Sequence, residues 1–154
     1  MTNELMGIAK KAQEMMQLKK GDVFVDIGCN DGTLFRFVEK HIVRIGFDPN
    51  DFKNESIQHA DIIIHNYFNF KEYQKTKHGH KKAKVITSIA MFYDLEDPGA
   101  FVDDIRKTLD KDGLWIIQMS YLPLMLSQLA FDNICHEHLG YYSLESLQYL
   151  LNIY

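Results

Sequence analysis

The most reactive chemistry in this sequence is concentrated in three consecutive residues, His136, Glu137 and His138. Histidine titrates near neutrality, so it can take a proton from a carbon beside a carbonyl or from an enol. A neighbouring carboxylate such as Glu137 can orient an imidazole and raise its basicity. Two other roles fit the same residues. His136 and His138 share a face of an extended segment, so they can be half of a metal site, but a metal needs a third and a fourth ligand. No second cluster with ligand spacing is present, and no metal ligand is assigned. The pair can also be a hydrogen-bonded structural feature.

A second constellation lies in the first half of the chain. Asp26-Ile27-Gly28-Cys29-Asn30-Asp31-Gly32 is an acid followed by a glycine loop. Glycine lets a ligand approach the backbone more closely than any residue with a Cβ. The dinucleotide pattern G-x-G-x-x-G fails here, because Asn30 and Thr33 stand at its second and third glycine positions. Asp48, followed by Pro49, closes the next apolar run, and a carboxylate there can accept hydrogen bonds from both hydroxyls of a ribose. Asn66-Tyr67-Phe68 comes after the third run. An Asn amide offers a donor and an acceptor to an adenine edge, and aromatic neighbours can cover the ring face.

These groups need a frame that brings loops together. Glu4–Leu18 has apolar residues at helical spacing and predicts an amphipathic helix. Val23–Ile27, Ile42–Phe47, Asp61–Ile64, Lys84–Ile89 and Leu114–Met119 predict strands. Between them, Thr33 predicts the N-cap of a helix through Leu34, Phe37 and Val38. Short helices are expected after Pro49 and over Phe68–Gln74. Pro98 opens a helix whose buried face is Phe101, Val102, Ile105 and Leu109. Asp112-Gly113 then turns the chain into the fifth strand. Leu122–Leu129 and Leu144–Ile153 read as helices, with a short strand conceivable near Ile134. Strands alternating with helices predict one α/β domain over residues 1–154. Its sheet is parallel, of about five strands, with helices on both faces. In such sheets ligands bind at the carboxyl ends of the strands, near the switch point. The loops named above all lie at those ends.

On these residues the sequence resembles the class I, Rossmann-like S-adenosylmethionine-dependent methyltransferases. Gly21–Pro49 is similar to their first two motifs, and Ile86–Pro98 to their fourth-strand motif. Phe131–Leu144, with His-Glu-His-Leu-Gly-Tyr-Tyr at its heart, resembles the branch that methylates carbon atoms of nucleotide-linked deoxysugars. The resemblance implies S-adenosylmethionine as cofactor. It places the cofactor against Asp26, Gly28, Cys29, Asn30, Gly32, Asp48, Pro49, Asn66, Tyr67, Phe68, Ile89 and Ala90. It makes His138 the general base, with Glu137 beside it and Tyr93 as a hydrogen-bond partner. The acceptor it implies is a small molecule, a sugar nucleotide. Two alternatives stay open: an O- or N-methyltransferase of another small molecule, or a catalytically incomplete cofactor-binding module. The sequence departs from the branch in several places. Cys135 stands where several relatives have Tyr, and Tyr93-Asp94 where some have His. An N-terminal zinc-binding domain, a C-terminal domain and the last two of the usual seven strands are not expected within these 154 residues.

Composition narrows the partners. Apolar residues are 46% and charged residues 25%, ordinary for a globular domain. A net charge of -4 argues against a nucleic-acid partner that needs a strongly basic face. The basic run Lys75, Lys77, His78, His80, Lys81, Lys82, Lys84 reads as a solvated loop rather than a phosphate site. No apolar run approaches a membrane span. Cys29 and Cys135, outside any C-x-x-C pair, read as free thiols of a reducing cytoplasm. If the fifth strand ends the sheet, it is an apolar edge without Lys or Pro at its core. Self-association through that edge is then expected, with a cap formed by residues 121–154 as the second arrangement.

Overall fold

The structure, a computed structural model, describes residues 2–50 and 59–154. Five strands form a sheet: β1 (Val23–Ile27), β2 (Val43–Phe47), β3 (Ile62–Ile64), β4 (Ala83–Ile89) and β5 (Leu109–Gln118). Their order is β3-β2-β1-β4-β5, and every pairing is parallel. The chain builds outward from β1 on one side, then returns to start again on the other. The switch point therefore lies between the carboxyl ends of β1 and β4, where a crevice opens.

Helices cover both faces. On one side Ala9 and Ala12 of α1 (Thr2–Met16) pack with Phe24, Val85 and Phe35. On the other, Tyr73 of α2 (Phe70–Lys75) and Phe101, Val102 and Ile105 of α3 (Pro98–Thr108) meet Val23, Val25 and Ile86. The side chains of a strand alternate between faces, so Phe24 and Asp26 point one way and Val23, Val25 and Ile27 the other. Nonetheless all five residues of β1 are buried, as expected of a central strand in a parallel sheet. An aromatic relay of edge-on contacts runs through the second layer, Phe47–Phe68 at 5.1 Å, Phe68–Phe101 at 5.6 Å and Phe101–Phe92 at 6.0 Å between ring centres.

Local signals explain most boundaries. Asp97 caps α3 by accepting from the Ala100 amide at 2.9 Å, with Pro98 in the first turn. Asn69 caps α2 through the Glu72 amide at 2.9 Å, so that helix begins after Phe68. The predicted Thr33 cap is corrected. Gly32 occupies the N-cap in a left-handed conformation, and Asp31 accepts from both the Thr33 amide and hydroxyl at 3.0 and 2.8 Å. The capped element is a 3₁₀ turn over Thr33–Phe37, with Val38 already extended. Leu109 is also reassigned from the face of α3 to the first residue of β5. It pairs with Ala83, after which the register jumps so that Leu114 pairs with Val85. Asp112-Gly113 is thus an excursion within β5 rather than a turn before it. The third strand starts at Ile62 and the fifth ends at Gln118. Ile134 is exposed and outside any strand. The helix expected after Pro49 falls largely on residues 51–58, outside the described residues.

The last fifth of the chain is α4 (Leu122–Ser127), a 3₁₀ turn over Phe131–Asn133 and α5 (Leu144–Ile153). Leu147, Leu150 and Leu151 of α5 pack on the second layer. The apolar side of α5 thus meets a face of the sheet. Among the described residues, no strand pairs with the outer side of β5. Residues 121–154 also hold most of the exposed large apolar side chains, including Leu126, Leu129, Phe131, Leu139 and Tyr149.

Candidate functional site

A cavity of about 790 Å³ opens at the carboxyl ends of β1, β2, β3 and β4, at the switch point. Its wall includes Asp26, Gly28, Cys29, Asn30, Asp48, Pro49, Asn66, Tyr67, Phe68, Ile89 and Ala90. Of the cofactor residues expected from the sequence, only Gly32 stands outside this lining. It acts instead at the base of the loop, where its amide donates to the Cys29 carbonyl at 2.8 Å and its carbonyl accepts from the Phe35 amide.

The loop after β1 is fixed to β2. The amides of Gly28 and Cys29 both donate to the Phe47 carbonyl, at 2.8 and 3.1 Å. Gly28 has φ +72°, and a Cβ there would lie 3.3 Å from the Met91 side chain. Glycine therefore keeps the floor of the cavity open where a ligand must approach the backbone. Asn30 is left-handed at φ 50°, a conformation Asn tolerates better than most residues. That bend aims its amide at Asp48 Oδ2, 2.9 Å away. Asp48 Oδ1 accepts from the Asn50 amide at 2.9 Å and its side-chain nitrogen at 3.1 Å. Asp48 thus joins the two loops as well as lining the cavity.

Asp26 is nearly inaccessible, at 4% exposure. Parallel register sets it beside Thr87 of β4, and the Thr87 hydroxyl donates to Asp26 Oδ1 at 2.6 Å. Burial pushes the Asp26 carboxyl up to about 7 against the pull of the Thr87 hydrogen bond, with the Asp48 charge adding to the rise. Cys29 is different from the other loop residues. Its side chain turns into the first layer, where a Cβ at Gly46 would come within 2.6 Å of its sulfur. Burial and the nearby Asp26 and Asp48 charges push its thiol well above the ordinary range, which favours the protonated thiol.

Asn66 and the aromatics beside it serve unequal parts. The Asn66 side-chain oxygen accepts from the Tyr67 amide at 2.9 Å, and Tyr67 is 74% exposed. Phe68, by contrast, is a core residue of the aromatic relay with its edge on the cavity. Past β4, Ala90 is held at φ 53°, and its amide donates to the Gln118 carbonyl at 2.8 Å. A non-glycine residue in this region costs about 1–3 kcal/mol and survives only where its surroundings hold it. Here it turns the chain sharply at the cavity rim.

The His-Glu-His segment is pinned to that rim. The Leu139 and Gly140 amides both donate to the Tyr93 carbonyl, at 2.8 and 3.0 Å. The His138 ring lies 4.0 Å from the Tyr93 ring centre to centre, tilted by 42°. The contact between them is ring against ring, and His138 Nδ1 is buried with no hydrogen-bond partner among the described residues. Glu137 is exposed. Tyr93, Glu137 and His138 stand just outside the cavity lining, while Asp94, next to Tyr93, is part of it. Desolvation raises the Asp94 carboxyl; His138 opposes the rise and Glu137 adds to it.

Sequence reasoning overlooked Thr87, Asn50, Asp94, Met91 and Gln118. Threonine in a β-branched run reads only as a strand former, and the partner of Asp26 emerges only from strand register. The basic run, meanwhile, is tied down internally. Lys75 pairs with Glu72, Lys84 with Asp110 at 3.0 Å, and Lys81 donates to the Gly21 carbonyl. Among the described residues, no group of three or more His, Cys, Asp or Glu side chains could hold a metal ion. No described helix is long and apolar enough to cross a membrane.

Known proteins share this architecture. A family model described as a methyltransferase domain matches residues 5–153. C-methyltransferase NovU of Streptomyces niveus is 29% identical over 145 residues, 87% of this chain and 32% of that protein. The tRNA U34 carboxymethyltransferase of Campylobacter lari is 28% identical over 120 residues, 70% of this chain and 38% of that protein. The chain thus spans about a third of the length of these relatives. Among solved structures, the plantazolicin methyltransferase BpumL, in complex with a pentazolic desmethylPZN analog and SAH, superposes with a TM-score of 0.70 at 16% identity. The match covers 97% of this chain and 61% of that one.

Proposed function

The chain belongs to the methyltransferase-domain family, and on that premise we propose that it moves a methyl group from S-adenosylmethionine to a carbon of a small molecule, a deoxysugar nucleotide. The observation that carries the carbon-directed reading is His138. Its imidazole is packed on Tyr93 at the cavity rim, and its buried Nδ1 has no hydrogen-bond partner among the described residues. Similarity to a C-methyltransferase supports the same choice.

The cavity suits the cofactor chemically. It presents a glycine floor, two carboxylates at the ends of adjacent strands and a polar-aromatic pair beyond them. Asp48 accepts the ribose hydroxyls with the acceptor capacity left by its loop hydrogen bonds. Asn66 and Tyr67 meet the adenine, and Asp26 faces the cationic amino-acid end. When bound, S-adenosylmethionine supplies a methyl group activated by its sulfonium. His138 takes the proton from the acceptor carbon, and the Tyr93 face holds the imidazole in place. The residues lining the cavity align the acceptor and exclude water.

A second reading is favoured by the position of Glu137 and His138 outside the cavity lining. In it the domain binds the cofactor and the acceptor is methylated at oxygen or nitrogen, or not at all. Both readings place the protein in the cytoplasm, in keeping with its two free thiols. The test is transfer of labelled methyl from S-adenosylmethionine to a keto-deoxysugar nucleotide, with the product bond located by NMR. A new carbon–methyl bond is expected. Methyl on oxygen or nitrogen, or cofactor binding without any transfer, establishes the second reading.

We further propose that the protein self-associates through the outer side of β5. That edge is unpaired among the described residues, and exposed apolar side chains of residues 121–154 lie in the same part of the chain. Light scattering is expected to give a mass that rises with concentration toward a dimer. A constant monomer mass contradicts it.

A further inference from the structure

We propose that Thr87 is a positioning residue for the cofactor: its hydroxyl holds Oδ1 of Asp26, fixing the carboxylate as an ionised acceptor for the cofactor's α-ammonium. This rests on the reading that the cavity takes S-adenosylmethionine.

The geometry is specific. Asp26 and Thr87 are register partners on β1 and β4, on the face that carries Phe24 and Val85. Thr87 is fully buried, and its hydroxyl is 2.6 Å from Oδ1 and 3.3 Å from the Val25 carbonyl. No other described residue donates to the Asp26 carboxylate. Of the other cavity acids, Asp48 already receives three hydrogen bonds from the loops. Asp26 therefore keeps more acceptor capacity than Asp48, and Thr87 supplies the donor that favours its charged form against burial. The titratable and charged groups around Asp26 are Asp48 at the end of β2, Cys29 and Asp31 in the loop after β1, Glu4 on α1 and Asp94 beyond β4. Among the described residues none of these is a cation, and the cofactor's α-ammonium is a positive charge that suits this acidic end of the cavity.

Linkage sets the direction of the pH dependence. The Asp26 carboxyl titrates at about 7, and an ammonium binds its ionised form. Affinity is therefore highest above that value and falls as pH drops through it. Removing the Thr87 hydroxyl raises the titration point further.

The experiment is calorimetric titration with S-adenosylhomocysteine and with 5′-methylthioadenosine, which lacks the ammonium, from about pH 5.5 to about 8. In the wild-type protein the first ligand is expected to weaken below about pH 7 while the second stays flat. Thr87→Val is expected to move the midpoint for S-adenosylhomocysteine up by about one pH unit, about fivefold weaker binding at about pH 7. Binding of 5′-methylthioadenosine stays unchanged, and Thr87→Ser restores the wild-type profile. Thr87→Ala removes the same hydroxyl and serves if the valine variant does not fold. An unshifted profile in the folded variant, or equal shifts for both ligands, overturns the proposal. Failure of the wild-type protein to bind either ligand overturns the cofactor reading instead.

Discussion

His138→Ala is expected to lower methyl-transfer turnover by about 10²–10⁴-fold, the range for loss of a general base, while S-adenosylhomocysteine binds as before. The structure separates these effects cleanly. The segment is pinned by backbone bonds from Leu139 and Gly140 to the Tyr93 carbonyl, which alanine leaves intact. The lost imidazole makes no hydrogen bond at Nδ1 among the described residues, so its removal breaks no hydrogen bond there and costs the ring contact with Tyr93. Steady-state kinetics with a keto-deoxysugar nucleotide gives the turnover, and calorimetry gives the affinity. Full activity in the variant removes His138 from the mechanism. Affinity falling together with turnover assigns it to the architecture of the rim.

Asp48→Ala is expected to weaken S-adenosylhomocysteine by about 3 kcal/mol, roughly 150-fold, the upper end for hydrogen bonds to a charged group. Two losses combine. The ribose hydroxyls lose a charged acceptor. The Asn30 amide and the Asn50 amide and side chain lose theirs as well, at 2.9, 2.9 and 3.1 Å. Asn30 needs that anchor most, because it is held in a left-handed conformation. The variant is therefore also expected to melt lower. Calorimetric titration decides the point, since unchanged affinity takes Asp48 out of the site.

The strands of this fold were legible because the central ones are nearly continuous apolar runs, and Val23–Ile27 matches its expected bounds residue for residue. Proline and glycine signals were legible in part. Pro98 opens α3 as its position dictates. Gly32 takes the cap that Thr33 was expected to fill, because the left-handed turn needs the residue without a Cβ. The early start of β5 was hidden. A ladder that skips from Leu109 to Leu114 leaves no period-two pattern to read.

The site divides in the same way. Acid and glycine positions at strand ends were legible, because topology alone sends strand ends to one crevice. Side-chain direction was not. Cys29 shares the loop with Gly28 and Asn30 but packs inward on Gly46, and Phe68 belongs mainly to the aromatic relay. The contact of Tyr93 with His138 joins distant segments and has no signature in spacing. The family resemblance implied a hydrogen bond from Tyr93, and among the described residues the two side chains meet ring against ring at 4.0 Å instead.

The central claim is that the crevice between β1 and β4 holds the methyl donor with its sulfur toward the His138 rim. A crystal structure with S-adenosylhomocysteine tests it most directly. The predicted result has the ribose hydroxyls on Asp48, the α-ammonium on Asp26, the adenine beside Asn66 and the sulfur facing Tyr93 and His138. A ligand bound elsewhere, or bound in the crevice with its sulfur turned away from His138, contradicts the account.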